Sequence, residues 1–277
     1  LNQDFRRMLN TPGYNTNAVG ADVEIEFCMA QRDPNGAATN GINRVNLGNT
    51  IWNENNVETI LKPETQWDPT QYFNIWVCQF GGDLDGVLGY AQFPSNSGLG
   101  GLNTNGGDAI TDGVIIDYRC FGSADVAPNQ GSYFTDYNLG RTATHEIGHC
   151  FGLRHIWGDG GSQVAGILNC TNNTDYCADT PAAGWENYDC LDAYDSCPSS
   201  AGVDMVENYM DYTNDACMNI FTLNQKARIL AVMQNSPRRN TLASSLGCQS
   251  LSTSEFGGLN QVKLYPNPAS DFVSISM

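Results

Sequence analysis

"HEIGHCFGLRH", residues 145–155, contains His145, His149 and His155, the only three histidines in a chain of 277 residues. Side chains four positions apart on an α-helix stack on one face, so His145 and His149 can grip one ion together. Zinc takes imidazole nitrogen at about 2.0–2.1 Å in tetrahedral surroundings, and a pair from one helix leaves the third ligand to come from elsewhere. Gly152 lets the chain leave the helix without a Cβ penalty, and His155 three residues on can swing beneath the metal. Three protein ligands leave a fourth position for water, which is the pattern of catalytic zinc. Glu146, beside the first ligand, is spaced to take a proton from the attacking water and pass it to a departing amine. A structural zinc site would need a fourth protein ligand and no such base.

Composition narrows the setting. A 41% hydrophobic content with 10% aromatics fits a globular chain. The net charge of −17, from 30 acidic against 13 basic residues, repels phosphate backbones and argues against a nucleic-acid partner. It favours cationic substrates or hard cations such as calcium, although solubility alone would also explain it. Ten cysteines, six of them at 170, 177, 190, 197, 217 and 248 in loop-like sequence, read as a disulfide framework and an oxidising compartment. None forms a CxxC pair, and no apolar run approaches about 20 residues, so no membrane span is expected. Export would require a leader segment that the sequence from Leu1 does not display.

Residues 23–29, "VEIEFCM", alternate as a half-buried strand would, while 72–80 and 113–118 read as more buried strands. Between these lies "LGYAQFP" (88–94), closed by Pro94, which suits a sheet edge where an extended peptide can bind through main-chain hydrogen bonds. Helical spacing covers 141–153 and returns at 222–235, with Thr222 and Gln225 as a capping box and Leu223, Ala227, Leu230 and Met233 on one face. Residues 158–220 are Gly-, Asp-, Asn- and Cys-rich and need bridges or bound ions to hold one shape.

The HExxHxxGxxH stretch, with "ENYMDYTNDACMNIFT" (207–222) after it, resembles the metzincin metalloproteases, which carry a methionine in a tight turn beneath the zinc. "NYMDY", "ATNGINR" (38–44), "GVLGYAQFP" (86–94) and "TDGVIIDY" (111–118) are similar to the pappalysin family over about residues 23–240. The resemblance implies an α/β (α+β) fold. A twisted, mostly parallel sheet with an antiparallel edge strand and the active-site helix would precede a loop-rich, disulfide-bridged C-terminal subdomain. The catalytic domain would span 23–248, divided near 155/156, after an N-terminal segment 1–22 that is a candidate propeptide remnant.

The same resemblance assigns Met210 to the turn, Tyr212 to the oxyanion of the tetrahedral intermediate, and the edge-strand residues Gly89, Tyr90 and Ala91 to substrate. It implies cleavage before Arg or Lys, with Asp215 as the acid of the S1′ pocket. It also implies bridges Cys170–Cys197 and Cys190–Cys217, and a calcium ion near the active site, with Asp175, Asp179 and Thr180 as oxygen ligands. Cys177 departs from that pattern and has Cys248 as one possible partner; Cys28 and Cys78 read as buried thiols and Cys150 as a small core residue. Residues 249–258 look like a linker, and "LYPNPASD" within 259–277 resembles the start of a Bacteroidetes-type C-terminal sorting domain. The expected protein is therefore a secreted or cell-surface zinc endopeptidase acting on peptides or proteins. The rival is a non-catalytic zinc- and calcium-dependent adhesin of the same fold, which would have no need of Glu146 or Tyr212. The oligomeric state is not legible.

Overall fold

Val114, Ile115 and Ile116 have no exposed surface, as expected of a strand covered on both faces. In the computed structural model of the chain they form the middle of a three-stranded sheet. The strands are β1 (Ile75–Cys78), β2 (Gly89–Ala91) and β3 (Val114–Asp117), in the order β1-β3-β2. β1 runs parallel to β3, and β2 antiparallel with Tyr90 opposite Ile115. The structure describes residues 1–127, 133–170 and 175–249, with the short strands Lys263–Tyr265 and Ser274–Ser276.

The described chain divides into two compact units. One comprises 1–28 with 43–245, the other 29–42 with the chain from Leu246 on. In the second unit the amide of Gln31 donates to the Gly247 carbonyl, and Lys263–Tyr265 pairs antiparallel with Ser274–Ser276. The rest of the expected linker and sorting segment lies outside the described residues.

Four helices serve the first unit. α1 (Asn2–Phe5) puts Phe5 into the core against Phe27, Phe151 and Phe221. α2 runs through Glu54–Asn56, a π-helical stretch Val57–Leu61, and Lys62–Thr65, and is capped by the Asn53 side chain. α3 (Arg141–Cys150) is buried along its whole length, and α4 is Leu223–Asn235. Asp4, Phe5 and Ala21 of the segment 1–22 are thus buried in this unit. Asp4 accepts a 2.6 Å bond from Thr144 on α3 and lies 3.5 Å from Arg141.

Three expectations are corrected. Residues 23–29 form no strand. Glu24 sits at φ +64, and the Phe27 amide and carbonyl are taken by the Asn2 side chain instead of a ladder. On α4 the capping box is present, but the buried positions are Gln225, Arg228, Ile229 and Val232, not the Leu223 face. The polar ones find partners there: Gln225 pairs with Asn208, and Arg228 donates to the Gly152 carbonyl. The bridges Cys170–Cys197 and Cys190–Cys217 form, whereas Cys177 is a buried free thiol and Cys28 and Cys248 are each disulfide-bonded.

Across the unit, Asp112, two residues before β3, takes both terminal nitrogens of buried Arg239, at 2.7 and 2.8 Å. The Nε of Arg239 donates to the Cys150 carbonyl at the end of α3. This ties sheet, active-site helix and the segment after α4 together.

Candidate active site

The first two histidines project from α3 and the third follows the turn at Gly152, whose φ of +87 is left-handed backbone that glycine adopts freely. The three Nε2 atoms converge, 3.0 Å apart for His145–His149 and His149–His155 and 3.2 Å for His145–His155. Their Nδ1 atoms face outward to acceptors. His145 donates to the Tyr209 carbonyl at 2.7 Å, His149 to the Leu153 carbonyl at 2.9 Å, and His155 to an Asp159 carboxylate oxygen. Carbonyls have no proton to give, so the hydrogens sit on Nδ1 and bare Nε2 lone pairs meet in the centre. A bound cation would relieve that arrangement. Tetrahedral zinc with bonds of about 2.05 Å would hold its nitrogens about 3.3 Å apart, close to the observed triangle. The residues fit zinc.

Burial, with the neighbouring imidazoles, keeps His145 well below its ordinary pKa and holds His149 at about 3, so both are neutral ligands at pH 7. Burial opposes the charge of Asp159, but its hydrogen bond to His155 and the Arg154 guanidinium outweigh this and lower its pKa. Arg154 in turn donates to the Gly101 carbonyl at 2.8 Å and to Asp159 at 3.0 Å. The Trp157 ring stacks on His155, 4.3 Å between centroids at 7°. Asp159 and Trp157 were missed by the sequence reading. Their proximity to the third histidine in "HIWGD" was the available signal.

Met210 is fully buried and packs against α3 at Gly148. Its amide is fixed by Asn208 Oδ1, and its carbonyl accepts from Ile156, next to His155. The turn thus anchors two ligands, His145 through the Tyr209 carbonyl and His155 through Ile156. It approaches α3 so closely that a Cβ on Gly148 would lie 2.4 Å from the Met210 sulfur. The glycine inside HEIGH therefore has a packing reason. Tyr212 is partly exposed, its ring 4.8 Å from that of His155 and 4.9 Å from that of Trp157.

Glu146 is 6% exposed, and burial alone raises its pKa to about 8. It faces β2, since a Cβ on Gly89 would sit 3.0 Å from Glu146 Cγ. β2 ends the sheet. Leu88 and Gln92 spend backbone groups on Asp117 and Gly113, so by ladder alternation those of Gly89 and Ala91 face the open side. Tyr90 projects to the other face, where its hydroxyl donates to Glu58 on α2 at 2.7 Å.

The remaining candidates stand apart from the histidines. Asp215 is buried, and its Oδ2 accepts from the Leu139 and Arg141 amides at the start of α3. Asp175 accepts from the Thr180 hydroxyl at 2.6 Å and the Cys177 amide, and burial raises its pKa to about 6. Asp179 accepts from Thr222 and Asn224 at the start of α4. Among the described residues the histidines are the one cluster of three or more His, Cys, Asp or Glu groups spaced to hold a metal.

A three-histidine centre on a helix, with a buried methionine turn below and an antiparallel edge strand beside it, defines a metzincin-type metallopeptidase fold. Residues 55–234 match the Peptidase_M43 family model, described as pregnancy-associated plasma protein-A, and the chain belongs to that family. It is 35% identical over 181 residues to an extracellular metalloprotease of Sordaria macrospora, covering 65% of this chain and 55% of that protein. A second extracellular metalloprotease, from Uncinocarpus reesii, is 31% identical over 217 residues, 78% of this chain and 68% of its own length. Mature mirolysin of Tannerella forsythia, solved in complex with a cleaved peptide, superposes with a TM-score of 0.69 at 37% identity, covering 87% of this chain and 84% of that one. The chain spans little more than half the length of the Sordaria relative.

Proposed function

We propose that the chain is a secreted or cell-surface zinc endopeptidase. The observation that carries this is the triangle of bare Nε2 atoms beside a buried glutamate and an open strand edge. A zinc ion held there would polarise the scissile carbonyl and make water acidic enough to react near neutral pH. Glu146 accepts a proton from the attacking water and delivers it to the departing amine nitrogen. Its burial makes it a stronger base than an exposed carboxylate. Gly89 and Ala91 hold an extended peptide through main-chain hydrogen bonds, and Tyr212 donates to the oxyanion. Extracellular relatives and the two bridges support the oxidising location, and among the described residues no helix is long and apolar enough to cross a membrane.

Two finer assignments belong to this reading. Cleavage before Arg or Lys is supported by the fixed, buried carboxylate of Asp215 five residues beyond Met210. Calcium at Asp175, Asp179 and Thr180 rests on the family resemblance and on the burial of the Asp175 and Thr180 oxygens.

Quenched peptides with Arg, Lys or Leu at P1′, with and without a chelator and beside Glu146→Ala, test it. Chelator-sensitive cleavage that Glu146→Ala abolishes is expected, and its absence overturns the endopeptidase. Leucine cleaved as well as arginine overturns the role of Asp215 alone.

A further inference from the structure

Beside the histidines lies a cavity of about 530 Å³, at the open side of β2. Its upper wall is Glu54, Glu58 and Lys62 of α2, and its floor includes Tyr90, Phe93 and Leu102. Which half of a bound peptide reaches it follows from strand direction. Glu146 marks the reacting position against Gly89, the first residue of β2. A peptide running antiparallel to β2 lays its N-terminal part along Tyr90 to Phe93, so the cavity receives residues before the scissile bond.

Substrate side chains alternate between the two faces of the extended sheet, and one opposite Tyr90 would share its face. That face leads to α2, where Tyr90 is bonded to Glu58 Oε1.

The charge there is unbalanced. Lys62 is buried, pairs with Glu58 at 2.5 Å and lies 4.6 Å from the Tyr90 centroid, so it neutralises Glu58. Asp159 on the lower wall is neutralised by Arg154 at 3.0 Å. Among the described residues Glu54 has no such cation, and Asp83, whose Oδ1 accepts from the Glu54 amide, adds a second carboxylate beside it. The cavity lining therefore offers the Glu54 carboxylate and the second oxygen of Glu58 beside aromatic and aliphatic side chains. That combination suits a long cationic side chain, whose stem packs on apolar surface while its head stays with the carboxylates.

We propose that the unprimed half of the cleft carries a subsite for a lysine or arginine side chain, bound by Glu54 and the second oxygen of Glu58 over the Tyr90 ring. The proposal deepens the endopeptidase reading and rests on it for the direction of the bound peptide.

Its test uses binding, so that it stands apart from cleavage. Zinc-loaded Glu146→Ala protein is titrated with fluorescent peptides that share one P1′ arginine and carry Lys, norleucine or Glu at each of the three positions before the scissile bond. Lysine is expected to bind about two- to fivefold more tightly than norleucine at one of these positions, as for a partly exposed ion pair. Glutamate should bind more weakly than either, and the spread should shrink as salt rises. Adding Glu54→Gln should remove the lysine advantage, and Glu54→Lys should reverse the order; Glu54 is exposed, so both variants should fold. Equal affinities at all three positions, or a preference unchanged in both Glu54 variants, overturn the subsite. Loss of cleavage by the unmutated enzyme overturns the endopeptidase and leaves these affinities to decide the subsite.

Discussion

Replacing Gly148 by alanine isolates the contact between α3 and the methionine turn. The backbone of Gly148 is ordinary helix, and alanine is favoured over glycine there by about 1 kcal/mol. Against this, the new Cβ would meet the Met210 sulfur at 2.4 Å, where a non-bonded pair needs about 3.6 Å or more. The sulfur must retreat by more than about 1 Å in a fully buried site, while the Met210 backbone is pinned by Asn208 and Ile156. Overpacking of that kind costs about 1–3 kcal/mol, so with the alanine gain subtracted the net expectation is a loss of up to about 2 kcal/mol. In a Met210→Ala background the obstruction is gone, and the same substitution should become stabilising by up to about 1 kcal/mol. Met210→Ala by itself should cost about 2–5 kcal/mol. Urea unfolding followed by tryptophan fluorescence, in chelator and again in zinc, measures all four proteins. A Gly148→Ala cost of the same sign and size in both backgrounds would refute the reasoning.

Asp159→Asn should weaken zinc binding about 10–100-fold in chelator competition, because His155 loses the carboxylate that fixes its Nδ1 hydrogen; unchanged affinity rules out that role. Arg239→Leu should lower stability by about 3 kcal/mol, the low end for breaking a buried pair, since Arg238 still reaches Asp112 at 2.5 Å. A melting curve matching the parent's would contradict this. For Asp175, burial raises the folded pKa to about 6 from 3.8. Without calcium its contribution to stability therefore falls between about pH 4 and 6 and is level above, since the folded state binds the proton more tightly. Calcium selects the charged form, so its affinity should rise with pH up to about 6 and then flatten; calorimetric titration showing no heat at any pH removes the site.

The convergence of the three histidines, which the proposed zinc site uses, was legible because a helix repeats geometry every four residues and glycine announces its end. Local spacing alone put His145 and His149 together and freed His155 to join them. Edge strand 88–94 was legible for a similar reason, as Pro94 and the flanking glycines exclude it from a sheet centre. The bridges 170–197 and 190–217 came from resemblance, since spacing leaves many pairings open.

What only the tertiary structure decided was which distant groups complete the local ones. No periodicity in the chain tells that Gly148 gives way to a sulfur 62 positions later in sequence, or that Asp4 braces the active-site helix. Hydrophobic pattern misjudged α4 because Gln225 and Arg228 are buried with polar partners from remote loops, which apolarity does not encode. It also proposed a strand at 23–29 where the Asn2 side chain supplies the hydrogen bonds that a neighbouring strand would have supplied. Chemistry that depends on neighbours along a helix or strand is written in the sequence. Chemistry that depends on which buried polar group finds which partner is set when the chain closes on itself.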